Sequence, residues 1–180
     1  MTAILSGQTV GVMGSGEVLH LPLAESVGQL LAHLEVNLLT GGGPGVMEAV
    51  SRAFVEARRG RGICIGVLPS SEADPGTPRD GYPNKFVELP IYTHLPHSGV
   101  RGKEPLSRNH INVLSCDAIV ALPGGDGTAS EVSLAVKYRK PVVVFTPDLT
   151  LVEHFAREAP RVATLDDVAR FLAQQLRREA

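Results

Sequence analysis

Asp117-Ala-Ile-Val-Ala-Leu-Pro-Gly-Gly-Asp-Gly-Thr-Ala-Ser-Glu131 reads as a buried strand, a glycine-rich turn and the start of a helix. Ala118 to Leu122 is a short unbroken apolar run, as expected of a strand covered on both faces of a parallel sheet. Pro123-Gly124-Gly125 stops the strand, and Gly127-Thr128 opens a helix through Glu131, Leu134 and Val136. Glycines let a ligand approach the backbone closely, and the first N–H groups of a helix lack internal partners. Such a turn is a ready anion site, for phosphate above all. Glu131 lies one turn into the helix, so its carboxylate can face whatever the phosphate anchors. A phosphate cradle beside a carboxylate predicts a nucleotide-like ligand, with chemistry on it as an option.

The same alternation runs along the chain on both sides of this stretch. Thr9 to Met13 reads as a first strand and ends in Gly14-Ser15-Gly16. Leu23, Val27, Leu30, Leu31 and Leu34 follow at helical spacing. Asn37 to Thr40 is a second strand, ending in Gly41-Gly42-Gly43-Pro44-Gly45, with a helix from about Val46 to Arg58. Strands are expected at Ile63 to Leu68, Phe86 to Leu89 and Val142 to Phe145, with an edge strand at Arg161 to Ala163. Helices are expected at Leu106 to Cys116, at Gly127 to Tyr138, and after a Thr164 cap. The expected fold is α/β, a doubly wound, Rossmann-like parallel sheet with helices on both faces, in one domain over residues 1–180. Ligands bind such sheets at the carboxyl ends of the strands, and all three glycine-rich turns follow strands. Ser70 to Asp80 and Tyr92 to Lys103 read as loops, either covering the site or running over the surface; the surface reading is preferred for the first.

Composition narrows the function. With 180 residues, 43% hydrophobic and 20% charged, the chain suits one globular core. A net charge of −2 removes the electrostatic case for general nucleic-acid binding. There is no Trp, and aromatic residues are only 4%, so base-stacking platforms for single strands are not expected. The two cysteines, Cys64 and Cys116, lie in apolar stretches and read as buried thiols, which fits a reducing cytoplasm. No apolar run has the length of a membrane span, and no signal peptide is recognisable.

Among individual residues, Gly14-Ser15-Gly16 lacks the third glycine of the dinucleotide fingerprint, and no acidic residue ends the second strand, which argues against an ordinary dehydrogenase. This turn serves equally well as a tight connection or as a ligand contact at Gly14 and Ser15. Gly41 to Gly45, three glycines plus Pro-Gly before a helix, exceed what a plain turn requires, and close approach of a ligand is favoured over a structural turn, with Gly42, Gly43 and Gly45 assigned to the contact. Arg108 follows a loop at the same sheet edge, and its planar fork matches phosphate oxygens. Asn109 could bond a ribose, a base or a loop carbonyl. Pro123, Gly124, Gly125, Gly127 and Thr128 form the phosphate cradle, with Asp126 turned to solvent. Asp117 is expected to pin the start of its strand. His94 and His97 have no third ligand at metal-site spacing, so no metal site is assigned. Gly-Lys-Ser/Thr and Gly-x-Ser-x-Gly patterns are absent, which excludes a Walker loop and a serine-hydrolase elbow.

Pro123-Gly-Gly-Asp-Gly-Thr-Ala-Ser-Glu131 resembles the PGGxGTxxE signature of the LOG-like family, whose members are often labelled possible lysine decarboxylases. Several are nucleoside-monophosphate phosphoribohydrolases. The resemblance covers most of the chain, to about Phe145, and implies a catalytic pair of Arg108 and Glu131 with no cofactor required for hydrolysis. The decarboxylase label implies pyridoxal phosphate, but none of Lys85, Lys103, Lys137 and Lys140 stands in a recognisable setting for it. Gly41-Gly-Gly-Pro-Gly-Val-Met-Glu-Ala-Val-Ser-Arg52 and Ser107-Arg-Asn109 look most like the molybdenum-cofactor-carrier branch of this superfamily. Asn109, Ser130 and the Gly14-Ser15-Gly16 turn depart from the phosphoribohydrolase branch. Two functions are thus implied: cleavage of the N-glycosidic bond of a nucleoside 5′-monophosphate, or binding of a molybdopterin cofactor without turnover. The shared expectation is a small phosphate-bearing ligand, with no nucleic-acid or membrane partner. The resemblance also implies a homodimer or larger homo-oligomer.

Overall fold

In the computed structural model, which describes residues 7–176, seven parallel strands form one sheet in the order β4-β3-β2-β1-β5-β6-β7. The strands are β1 (Thr9–Met13), β2 (Asn37–Thr40), β3 (Cys64–Leu68), β4 (Leu89–Tyr92), β5 (Ala118–Ala121), β6 (Val142–Phe145) and β7 (Arg161–Val162). The helices are α1 (Leu21–His33), α2 (Val46–Ala57), α3 (Asn109–Leu114), α4 (Asp126–Lys137) and α5 (Leu165–Gln175). This is the expected doubly wound sheet.

The two-residue period of the strands sorts their side chains to opposite faces. Val10, Val12, Leu38, Ala118, Val120, Val143 and Phe145 join α1, α2 and α5 in one apolar cluster. Their neighbours Met13, Leu39, Ile119, Ala121, Val142 and Val144 join α4 and Val113 of α3 in the other. Both faces are thus buried, which is why these strands are nearly all apolar. Helices α1 and α2 approach closely at Gly28, where a Cβ would lie 2.6 Å from the Val50 carbonyl oxygen. Cys64 and Cys116 are buried free thiols, as expected. Asp117 Oδ2 accepts from the Thr9 amide at 2.7 Å and pins β5 to β1, also as expected. Thr164 caps α5 by accepting from the Asp167 amide at 3.2 Å. No helix among the described residues is long and apolar enough to cross a membrane.

Two expected elements shift. The fourth strand is Leu89–Tyr92, not Phe86 to Leu89. Asn84 holds the preceding residues in a turn by accepting from the Phe86 amide at 3.1 Å and the Val87 amide at 3.2 Å. Among the described residues the strand then pairs only with β3, so Leu89, Ile91 and Tyr92 stay exposed on an edge where hydropathy misleads. The helix expected over Leu106 to Cys116 is only Asn109–Leu114. Ser107 bridges to His97 and its hydroxyl accepts from the Asn109 amide at 3.2 Å, so the helix starts later.

The strand order places β1 beside β5, while the chain winds outward to β2 on one side and to β6 on the other. That is the topological switch point, where a crevice opens at the carboxyl ends of the strands. Parallel register aligns Met13 with Ala121 and Gly11 with Leu39. The three glycine-rich turns therefore emerge together on one edge of the sheet.

Candidate functional site

A cavity of about 540 Å³ sits at the switch point. One wall is the start of α4. Gly125 occupies the cap position in an extended conformation, and no side chain satisfies the helix's leading amides. Gly125, Gly127 and Thr128 border the cavity there, so unpaired N–H groups and the positive end of the helix dipole meet the space. The first turn forms the neighbouring wall with Gly14 and Ser15. It is laced to both other turns: the Ser15 amide donates to the Pro123 carbonyl at 3.1 Å, and the Ser15 carbonyl accepts from the Val46 amide at 2.8 Å. The Ser15 hydroxyl accepts from the amides of Glu17 and Val18 and holds the turn shut.

Arg108 and Glu131 meet in the wall beside α4. Arg108 Nη1 lies 3.4 Å from Glu131 Oε1, and the two side chains are only 7% and 9% exposed. Asn112 Nδ2 donates to the same carboxylate oxygen at 2.8 Å. Arg108 also donates to Asn109 Oδ1. Burial pushes the Glu131 carboxyl above its ordinary range, against the opposing pull of Arg108 and the Asn112 hydrogen bond. Arg108 Nε and Asn112 Oδ1 are buried without a protein partner. The arrangement offers an incoming anion backbone donors at the helix start, a guanidinium beside them, and a carboxyl ready to accept or donate a hydrogen bond.

The structure thus brings Gly14, Ser15, Arg108, Asn109, Gly125, Gly127, Thr128 and Glu131 to one cavity. Other predicted residues lie beneath its lining. Gly45 has φ +70°, and a Cβ there would lie 2.3 Å from the Ser15 carbonyl oxygen. Gly42 packs on Leu68, and Gly43 on the Tyr82 ring. The close approach permitted by these three glycines is made by protein atoms, so their contribution to the site is indirect. The Pro123 carbonyl ties down the first turn. A Cβ on Gly124 would meet Thr128 Oγ1 and the Ser15 amide, and the Gly124 carbonyl accepts from His154 Nε2 at 2.9 Å.

Other residues have roles at the site that their place in the sequence does not assign. Gly41 is the floor under Arg108, since a Cβ there would lie 2.4 Å from Nη2. Asn112 follows Arg108 by four residues, a helical spacing that could have flagged it. Ser98 and Gly99 enter the cavity wall from the Tyr92 to Lys103 stretch, whose loop-like composition left covering the site as one of two readings, and Tyr82 enters from the segment before β4, where no local pattern announces it. Arg79 couples these loops by donating to the Ser98 hydroxyl at 2.7 Å and to the Pro96 carbonyl. Asp126 is exposed as expected, yet it stands at the cavity mouth as the first residue of α4. His110 turns away, toward the Tyr138 hydroxyl at 2.7 Å.

Solved structures of other proteins share this fold. The molybdenum cofactor binding protein from the phototrophic bacterium Rippkaea orientalis is 33% identical, covering 93% of this chain and 96% of its own, with a TM-score of 0.72. The molybdenum cofactor carrier protein from Chlamydomonas reinhardtii is 31% identical over 92% of this chain and 98% of its own, with a TM-score of 0.66. An uncharacterized protein of Archaeoglobus fulgidus is 31% identical over 156 residues, which is 86% of this chain and 90% of that protein. These likenesses agree with the LOG-like resemblance and with its carrier-like branch. The model of the SLOG cluster4 family matches residues 7–172, and the chain belongs to that family.

Proposed function

We propose that this protein binds a small ligand made of a phosphate and a planar heterocycle, of the molybdenum-cofactor type, and holds it without turnover. The observation that carries this reading is the uncapped start of α4 on the cavity, with the Arg108 guanidinium in the same wall. Its phosphate would take the amides of Gly125 to Thr128, the charge and geometry that suit a phosphate monoester. The cavity volume lies within the range of sites for small organic ligands. Among the described residues no group of three His, Cys, Asp or Glu could hold a metal ion. The protein would therefore grip such a cargo by its phosphate and ring, and leave the metal to the ligand's own sulfur donors. Relatives at 31–33% identity that bind or carry this cofactor support the choice. Equilibrium dialysis with the molybdenum cofactor tests it: saturable binding that inorganic phosphate displaces is expected. Binding unaffected by phosphate, or no binding, refutes it.

The Arg108–Glu131 pair favours a second reading, cleavage of a nucleoside 5′-monophosphate. Water would add to the ribose C1′ as the N-glycosidic bond breaks, giving free base and ribose 5-phosphate. Glu131 would hold the ribose hydroxyls or orient the water, and Arg108 would neutralise charge on the leaving base or the phosphate. No cofactor is required for this step. Chromatography of a panel of nucleotides after incubation, with Glu131→Gln alongside, separates the readings. Base release lost in the variant establishes the hydrolase, and no release leaves the carrier. A homodimer or larger homo-oligomer is part of either proposal, and light scattering on the purified protein tests it.

A further inference from the structure

We infer that Tyr82 is the stacking platform for the ligand's planar ring, and that Gly43 is the seat that sets its position; this rests on the cavity being a site for a phosphate-bearing heterocycle. Among the described residues Tyr82 is the one aromatic side chain in the cavity wall. A Cβ on Gly43 would lie 2.5 Å from Tyr82 Cε1, 2.5 Å from Cζ and 2.6 Å from Oη. A point in the ring plane cannot be that far from all three atoms at once, so a side chain at Gly43 would sit out of the ring plane over the hydroxyl end of the ring, beside the Cε1–Cζ bond. The hydroxyl end of the phenol ring thus rests on bare backbone, and the residue is only half-buried. Bordering the cavity and seated at its hydroxyl end on Gly43, the ring is placed to offer a face to a flat ligand.

The seat is rigid. The Asn84 amide donates to the Gly42 carbonyl at 2.7 Å, and Asn84 Nδ2 donates to the Gly43 carbonyl at 2.9 Å. Asn84 is itself 7% exposed, so the segment carrying Tyr82 is fastened to the second glycine turn from the protein side. That turn is in its turn bonded to the phosphate-side wall through the Val46 amide and the Ser15 carbonyl. The ring is therefore held in fixed relation to the start of α4 before any ligand arrives, and a pre-placed aromatic face binds a flat ring at little cost in side-chain entropy. The role also accounts for glycine at position 43. Its φ lies outside the left-handed region, so the backbone would accept another residue, and the Tyr82 ring is what a side chain would displace.

Two pairs of probes test this by calorimetry: neopterin monophosphate and guanosine 5′-monophosphate, which carry a flat ring, and ribose 5-phosphate and inorganic phosphate, which do not. Tyr82→Ala is expected to weaken the ring-bearing probes by about ten- to a hundredfold, the range for loss of one base–aromatic stack. It should leave ribose 5-phosphate and phosphate within about twofold. Tyr82→Phe keeps the ring and should restore binding. Gly43→Ala, which moves the ring without removing it, should weaken the same two probes alone. The protein has no Trp and three Tyr. Tyrosine emission should thus fall on binding of a flat probe to the wild type and respond far less in Tyr82→Phe, whose ring no longer emits as tyrosine. Equal affinity of wild type and Tyr82→Ala for the flat probes, with phosphate still bound, overturns the platform alone. Failure of the wild type to bind any of the four probes overturns the phosphate-site reading as well.

Discussion

Replacing Glu131 tests the electrostatics of the site most directly. Its carboxyl is buried beside Arg108 and Asn112, and burial raises its pKa above the ordinary value of 4.5. In the unfolded chain it loses its proton near 4.5, and in the folded protein later. Between those values the folded state holds one proton more, so stability falls as pH rises, with a slope approaching about 1.4 kcal/mol per pH unit. The contribution is fully present below the unfolded pKa and is gone once pH has passed the folded one. Glu131→Gln stays neutral and keeps an oxygen for Arg108 and Asn112. It is expected to fold, and to lose this slope. Glu131→Ala leaves Arg108 buried without its counter-charge and should cost about 3–5 kcal/mol, toward the lower figure because water can enter from the cavity. Urea unfolding from about pH 4 to pH 8 reads both effects without changing ionic strength. The quantity of interest is wild type minus Glu131→Gln. A difference that is flat or rises with pH above 4.5 refutes the reasoning, as does a Gln variant less stable than the Ala variant.

Further perturbations test other parts of the molecule. Gly28→Val drives a side chain into the Val50 carbonyl between α1 and α2 and should cost about 1–3 kcal/mol in urea unfolding, the range for overpacking. Glu88 is held below its ordinary range by the Arg58 hydrogen bond, so its stabilisation is present above pH 4.5 and is lost as pH falls through the folded value. Glu88→Gln should remove at most about 1 kcal/mol at neutral pH, since solvent screens this partly exposed pair, and nothing at about pH 2. Burial pushes the Cys64 thiol to about 11 and the Cys116 thiol up as well. Neither should react with a disulfide reagent at about pH 8 in the folded protein, and both should react in denaturant.

Period and punctuation made most of the frame legible. Unbroken apolar runs at Val10–Met13, Ala118–Leu122 and Val142–Phe145 have no polar face to spare, so they require a sheet covered on both sides. Glycines directly after strands require a turn, and parallel strands put all such turns on one edge. Arg108 and Glu131 are legible in the sequence because their spacing to the glycine turn matches a known signature. That they touch, with Asn112 completing the cluster, depends on how α3 packs against α4.

Where each glycine's open space is used could not be read along the chain. Gly43 looks like a ligand contact until the fold lays Tyr82 on it, and Gly41 looks like its neighbours until Arg108 covers it. The position of the fourth strand escapes the sequence for a related reason: Leu89, Ile91 and Tyr92 are apolar but lie on an edge, while Asn84 bends the residues before them. Local chemistry specifies which residues can turn, bury or bind a phosphate, because those properties belong to the residue and its nearest neighbours. Which residues face one another across the cavity follows from the packing of segments remote in sequence, such as Tyr82 on Gly43 and Glu131 on Arg108, and that packing exists only in the folded chain.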